Sequence, residues 1–189
     1  LAGLPDFALA GAAQKAQDKK LTGHVLGIDL PCYINVLTHC SHRPTREKIY
    51  EAFCTRASNA GPHDDKHDNS NTLLTIVARR EEAAHLLGFN CFSEYSIANK
   101  MAPSCDKVIA FLTDLATRSQ SKARDELKHM QAFAAKHDGL QKLEPWDVTF
   151  YNERIKATEY ELSQETLRPY FPITTVLPGL FALVERVFG

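Results

Sequence analysis

Apolar residues spaced at the period of a helix, over most of its length, are what most restrict the folds open to this chain. In residues 69–89, NSNTLLTIVARREEAAHLLGF, Leu73, Leu74, Val77, Ala84 and Leu87 recur at helical intervals. Arg79, Arg80, Glu81 and Glu82 fill the other side, and Gly88 stands where a left-handed cap would end the helix. PSCDKVIAFLTDLATRS repeats the pattern through Val108, Phe111, Leu112 and Leu115, with Ser104 or Asp106 near its start. KARDELKHMQAFAAKHDG carries it through Leu127, Met130 and Ala134 to a stop at Gly139. These two segments read as a pair of antiparallel helices.

Further helices are expected at PTREKIYEAFCTRAS, where Pro44 suits the first turn, at PWDVTFYNERIKATEY, and at PGLFALVERVF. The first twenty residues also alternate in a helix-like way. Strand-like alternation is confined to the short stretch HVLGIDLP, and SNAGPHDDKHDNS is the clearest loop. The predicted fold class is all-α, a multi-helix array with short loops. Residues 1–189 read as a single helical segment. The last segment poses a packing question, because Leu177, Leu180, Phe181, Val184, Val187 and Phe188 make a wide apolar stripe. Such a stripe has to pack on what precedes it or on further protein.

At 189 residues, 44% hydrophobic and 24% charged, the chain has the composition of a protein that folds in water. Its net charge of -1 and its scattered basic residues give no electrostatic footprint for a phosphate backbone, so nucleic acid is not an expected partner. No stretch approaches the roughly 20 apolar residues that span a bilayer, so no membrane association is expected. The start lacks a basic region followed by an apolar block and reads as carrying no export signal. Cys32, Cys40, Cys54, Cys91 and Cys105 are odd in number, dispersed and never in C-x-x-C spacing, which points to a reducing, cytoplasmic setting.

Candidate chemistry begins at His63 and His67, four apart, with Asp64 and Asp65 between them. On a helix they would share a face and could grip zinc. Gly61 and Pro62 before them and Asp68-Asn69-Ser70 after them favour a loop, with Asp68, Asn69 or Ser70 capping the next helix. The metalloprotease motif also needs Glu, not Asp, after its first His. None of His24, His39, His42, His85, His129 or His137 begins H-E-x-x-H; His85 is expected to be a half-buried packing residue. No local signature pairs a Cys with a His, and there is no phosphate loop, G-x-S-x-G elbow or kinase signature. Trp146, Phe150 and Tyr151 are expected to face a core. Residue chemistry alone assigns no catalytic, cofactor-binding or metal-binding residue.

Six blocks nevertheless resemble, in order and at similar intervals, the oligopeptidase A / thimet oligopeptidase family of zinc metallopeptidases. They are LAGLPD, TRASNAGPHDDKHDNS, LLGFNCFSEYSIANKMA, FLTDLA, PWDVTFYNE and LRPYFPITTVLPGLFALVERVFG. The resemblance covers the whole chain. It implies a longer, two-lobed helical enzyme that hydrolyses short peptides in a deep channel by zinc-activated water. In that family the zinc ligands (two His of H-E-x-x-H and a further Glu), the catalytic Glu, and a later Tyr and His lie after the segment matched here. None can be placed on a residue of this sequence. The resemblance therefore implies a fragment whose zinc-binding catalytic part falls after residue 189, inactive alone, with that part of the same polypeptide as its partner. A non-catalytic helical binding or scaffolding protein of the same ancestry is the alternative.

Overall fold

A computed structural model describes residues 1–62, 66–161 and 167–189. The described residues form helices joined by short loops, with no strand among them. In chain order they are α1 (Asp6–Asp18), α2 (Leu30–His39), α3 (Arg43–Cys54), α4 (Ser70–Leu86), α5 (Phe92–Ile97), α6 (Cys105–Asp138), α7 (Pro145–Glu159) and α8 (Ile173–Phe188). A short 3-10 turn at Arg168–Tyr170 precedes α8. The expected all-α class is the observed one.

Two expectations need correction. HVLGIDLP is not a strand: residues 24–28 form no regular secondary structure, and Asp29 then caps α2 by accepting the Cys32 N–H at 3.1 Å. Pro31 falls in the first turn of α2, where its missing N–H costs no hydrogen bond. The second correction concerns α6, which is one continuous 34-residue helix instead of an antiparallel pair. The linking residues RSQSKAR hold neither Gly nor Pro, and Thr117 and Ser119 return their hydroxyls to the carbonyls of Thr113 and Leu115. Nothing there breaks the backbone ladder.

Helix ends follow from their caps. Ser104 accepts the Lys107 N–H to start α6, and Gly139 ends it in the left-handed conformation at φ 68°. Gly88, after α4, has φ 83°, as its position implied. Helix α8 begins at Ile173, five residues ahead of the expected PGLFALVERVF, and carries Pro178 inside it.

Buried apolar residues gather in two clusters. Leu4, Val36, Leu37, Cys40 and Ile49 form one cluster, closed by Leu26, Ile28 and Trp146 among others. Phe133, Ala134, Tyr151 and Ile155 form a second, flanked by Met130, Leu140, Leu143 and Phe150. Helix α7 touches both, through Trp146 on one side and Tyr151 on the other, and packs against α2, α3 and α6. The expected inward face of Trp146, Phe150 and Tyr151 is present. By contrast α4 packs mainly on α5 and buries only Ala84, while residues 109–129 of α6 are exposed throughout.

Candidate functional site

The most concentrated polar chemistry in the core joins residues about a hundred positions apart. Asp147, at the third position of α7, is fully buried. Its Oδ1 accepts from Arg46 Nη2 at 2.8 Å and Arg43 Nε at 3.0 Å, and its Oδ2 from Arg43 Nη2 at 2.8 Å and the Glu144 N–H at 3.0 Å. Arg46, only 2% exposed, spends its other donors on carbonyls: Trp146 at 3.1 Å, Cys40 at 2.8 Å and Ser41 at 3.4 Å. Its guanidinium lies 4.1 Å from the Phe150 ring centroid. One carboxylate thus ties the start of α3, the end of α2 and the start of α7 together.

Burial pushes the Asp147 carboxyl up, but the side chains of Arg43 and Arg46 and the Glu144 N–H outweigh it, and the group is held below the ordinary carboxylate range. Every donor facing the carboxylate is spoken for, so the cluster is a clamp and not a proton-transfer site. Sequence reading did not single out these three residues. The local signal was present in EPWD, where an acidic third residue behind Pro145 fits a helix start; the arginine partners carry no local signal.

The loop candidate divides. His63, Asp64 and Asp65 lie outside the described residues. His67 is exposed, and Asp68 accepts the Ser70 N–H at 3.0 Å and the Ser70 hydroxyl at 2.7 Å, which lower its pKa. This is the capping role expected of that turn. His85, expected to be half-buried, is exposed instead; its Nε2 sits 2.9 Å from the Asn90 carbonyl oxygen and 3.5 Å from Glu81 Oε1. The turn after α4 brings Asn90 back over the last turn of the helix, so polar neighbours face His85 where packing was expected. His129 pairs with Glu159 at 3.0 Å across α6 and α7, and His137 stacks on Phe133.

Among the described residues no three His, Cys, Asp or Glu side chains converge to hold a metal ion. The donor set needed for zinc, imidazole and carboxylate ligands meeting at one point, therefore does not fit any described part of the chain. All five cysteines are unbridged. Cys54 lies beside Tyr33 and Tyr50; burial first, then the neighbouring thiol, pushes the Tyr33 phenol up to about 12.

What remains open is apolar. A groove of about 180 Å³ between α1 and α2 is lined by Phe7, Ala8, Val25 and Pro31, with the Lys15–Asp29 ion pair at 2.6 Å on its rim. Larger apolar faces are exposed on α4, on the first half of α6 and along α8, which buries none of its residues.

The described helices thus enclose two buried clusters and leave several apolar faces exposed. The sequence pattern of Peptidase family M3 matches residues 36–189. The chain belongs to that peptidase family. Oligopeptidase A of Escherichia coli (strain K12) is 44% identical over 189 residues, which is all of this chain and 28% of that protein. The probable cytosolic oligopeptidase A of Arabidopsis thaliana is 33% identical over 99% of this chain and 27% of its own length. Dipeptidyl carboxypeptidase of Escherichia coli (strain K12) is 31% identical over all of this chain and 28% of its own. The chain thus spans little more than a quarter of the curated relatives it matches.

Proposed function

We propose that this chain is a helical part of a zinc-dependent oligopeptidase that hydrolyses short peptides in the cytoplasm. The observation that carries the reading is the 44% identity, along the whole chain, to oligopeptidase A of Escherichia coli (strain K12). Its unbridged cysteines are in keeping with a reducing compartment. When bound, zinc supplies an acidified water and a Lewis acid for the scissile carbonyl. Those functions are assigned to residues of a longer polypeptide, because the described side chains here do not assemble a ligand set. This chain's share is structural: the Arg43–Arg46–Asp147 clamp fixes α2, α3 and α7 as a rigid block, from which α6 extends as a long support.

On this reading the 189 residues hydrolyse nothing alone. The test compares two proteins, this chain and the longest polypeptide encoded by the same gene, on a short fluorogenic peptide with and without a chelator. Chelator-sensitive cleavage by the longer protein only is the expected result. Cleavage by the 189-residue chain would place a working site within it and overturn the assignment. A gene that ends at Gly189 would turn the reading to a non-catalytic helical binding protein.

A further inference from the structure

We infer that, whatever the chain's part in peptide hydrolysis, the groove between α1 and α2 binds a free α-amino acid with an apolar side chain. Lys15 takes its carboxylate, Asp29 its ammonium, and the slot between the helices its side chain. The slot is made by a missing side chain. Phe7, Gly11 and Lys15 stand four residues apart on one face of α1, and all three line the groove. A Cβ added at Gly11 would meet nothing within 4 Å. Glycine inside a helix is less stable than alanine, so this space stays open against the local preference. Val25, Pro31 and Val36 line the groove as well. Its volume of about 180 Å³ exceeds the roughly 150 Å³ of an apolar cavity that takes up benzene, so a group the size of a leucine or phenylalanine side chain fits.

A pair of opposite charges stands on the rim of this slot. Lys15 Nζ donates to Asp29 Oδ2 at 2.6 Å, and the Cys32 N–H holds Asp29 Oδ1 at 3.1 Å. Their shared hydrogen bond raises the Lys15 pKa and lowers that of Asp29, so both are charged at neutral pH. An ammonium carries three donors and this bond uses one; each carboxylate oxygen has a further lone pair. The two side chains are 43% and 47% exposed, where water screens the pair. A ligand that covers them with apolar surface removes that water and strengthens the charge contacts beneath it.

Opposite charges this close select the ligand. The carboxylate and ammonium of an α-amino acid are attached to one carbon, so with Lys15 and Asp29 they close a ring of four alternating charges. The ends of an extended peptide draw apart by about 3.3–3.6 Å per residue, so only one end reaches the pair. A carboxylic acid or an amine alone satisfies one partner and is repelled by the other.

The test titrates the 189-residue chain with L-phenylalanine while its backbone amides are followed by nuclear magnetic resonance. Shifts should saturate and centre on residues 7–15 and 25–36. N-acetyl-L-phenylalanine and L-phenylalanine amide, each lacking one charge, should bind at least about tenfold more weakly, and glycine, which has nothing to fill the slot, should bind more weakly too. Lys15→Met should weaken L-phenylalanine by a similar factor. Gly11→Leu should abolish binding by filling the slot, with a thermal midpoint no lower than the parent's. Shifts that never saturate, or that centre elsewhere, would overturn the inference. So would equal binding of the acetylated or amidated compound, because the paired charges would then select nothing. On the longest polypeptide encoded by the same gene, saturation transfer to L-phenylalanine should be present and reduced by Lys15→Met. Transfer that Lys15→Met leaves unchanged, or no transfer at all, would mean that the groove is filled from within the longer protein and would equally overturn the site. Peptide cleavage plays no part in these readouts, so the peptidase reading stands or falls separately.

Discussion

Asp147 is the residue whose loss the structure predicts most sharply. Replacing it by Asn keeps the volume but leaves the 2%-exposed Arg46 without its counter-charge in the core. Breaking a buried pair from one side costs about 3–5 kcal/mol, and the urea midpoint of Asp147→Asn should fall accordingly. Exchanging both partners, Arg46→Met with Asp147→Leu, should cost clearly less than the single change, because no charge is then stranded. The same carboxyl sets an acid limb. Its folded pKa lies below the ordinary value of 3.8, so its contribution is complete above that value and is lost as pH falls through the folded pKa. A thermal midpoint followed from pH 7 to pH 2 should drop at the acid end in the parent and more gently in Asp147→Asn. A second residue-level outcome concerns the loop: His63→Ala with His67→Ala should leave the zinc content of the purified chain unchanged. A stoichiometric loss of tightly held zinc would make the loop a metal site after all.

At the scale of elements, single glycines give opposed expectations. Gly139 ends α6 at φ 68°, where a side chain is strained, so Gly139→Ala should lose about 1 kcal/mol. Gly11 sits inside α1 with open space where a Cβ would go, so Gly11→Ala should gain about 0.5–1 kcal/mol through helix propensity. Equal shifts in thermal midpoint would contradict both assignments. Such local signals explain what the sequence made legible. Gly88, Gly139, Pro44 and Pro145 mark helix boundaries through backbone geometry that operates within a turn. The join at residues 118–124 reads as a linker because polar residues interrupt the apolar stripe, and a polar stretch inside a solvated helix looks the same as a loop. Helix α2 is not legible because Leu26 and Ile28 pack on the core just ahead of it and mask the cap at Asp29. The Arg43–Arg46–Asp147 clamp could not be read at all, since its partners meet only after α3 and α7 have docked. The apolar faces of α4 and α6 were read correctly as stripes, but periodicity does not say whether a stripe finds a partner inside the same chain.

Over the whole molecule, the closed and open parts should differ in stability. Helices α1, α2, α3 and α7 and the last turns of α6 enclose both buried clusters, whereas α4, α5, α8 and residues 109–129 of α6 contribute little to either. Cooperative unfolding requires that breaking one contact weakens the rest, and a solvated helical rod shares few contacts with the core. The single tryptophan, Trp146, lies in the closed part beside Tyr50 and Arg43, so its fluorescence reports that part alone. Far-ultraviolet circular dichroism reports every helix. In urea, the dichroism of the 189-residue chain should therefore begin to fall before the fluorescence moves, with residues 109–126 also losing amide protection first. Coincident curves would mean that the rod is coupled to the core through contacts stronger than exposed side chains supply, and the division into a closed block and open helices would fall with them.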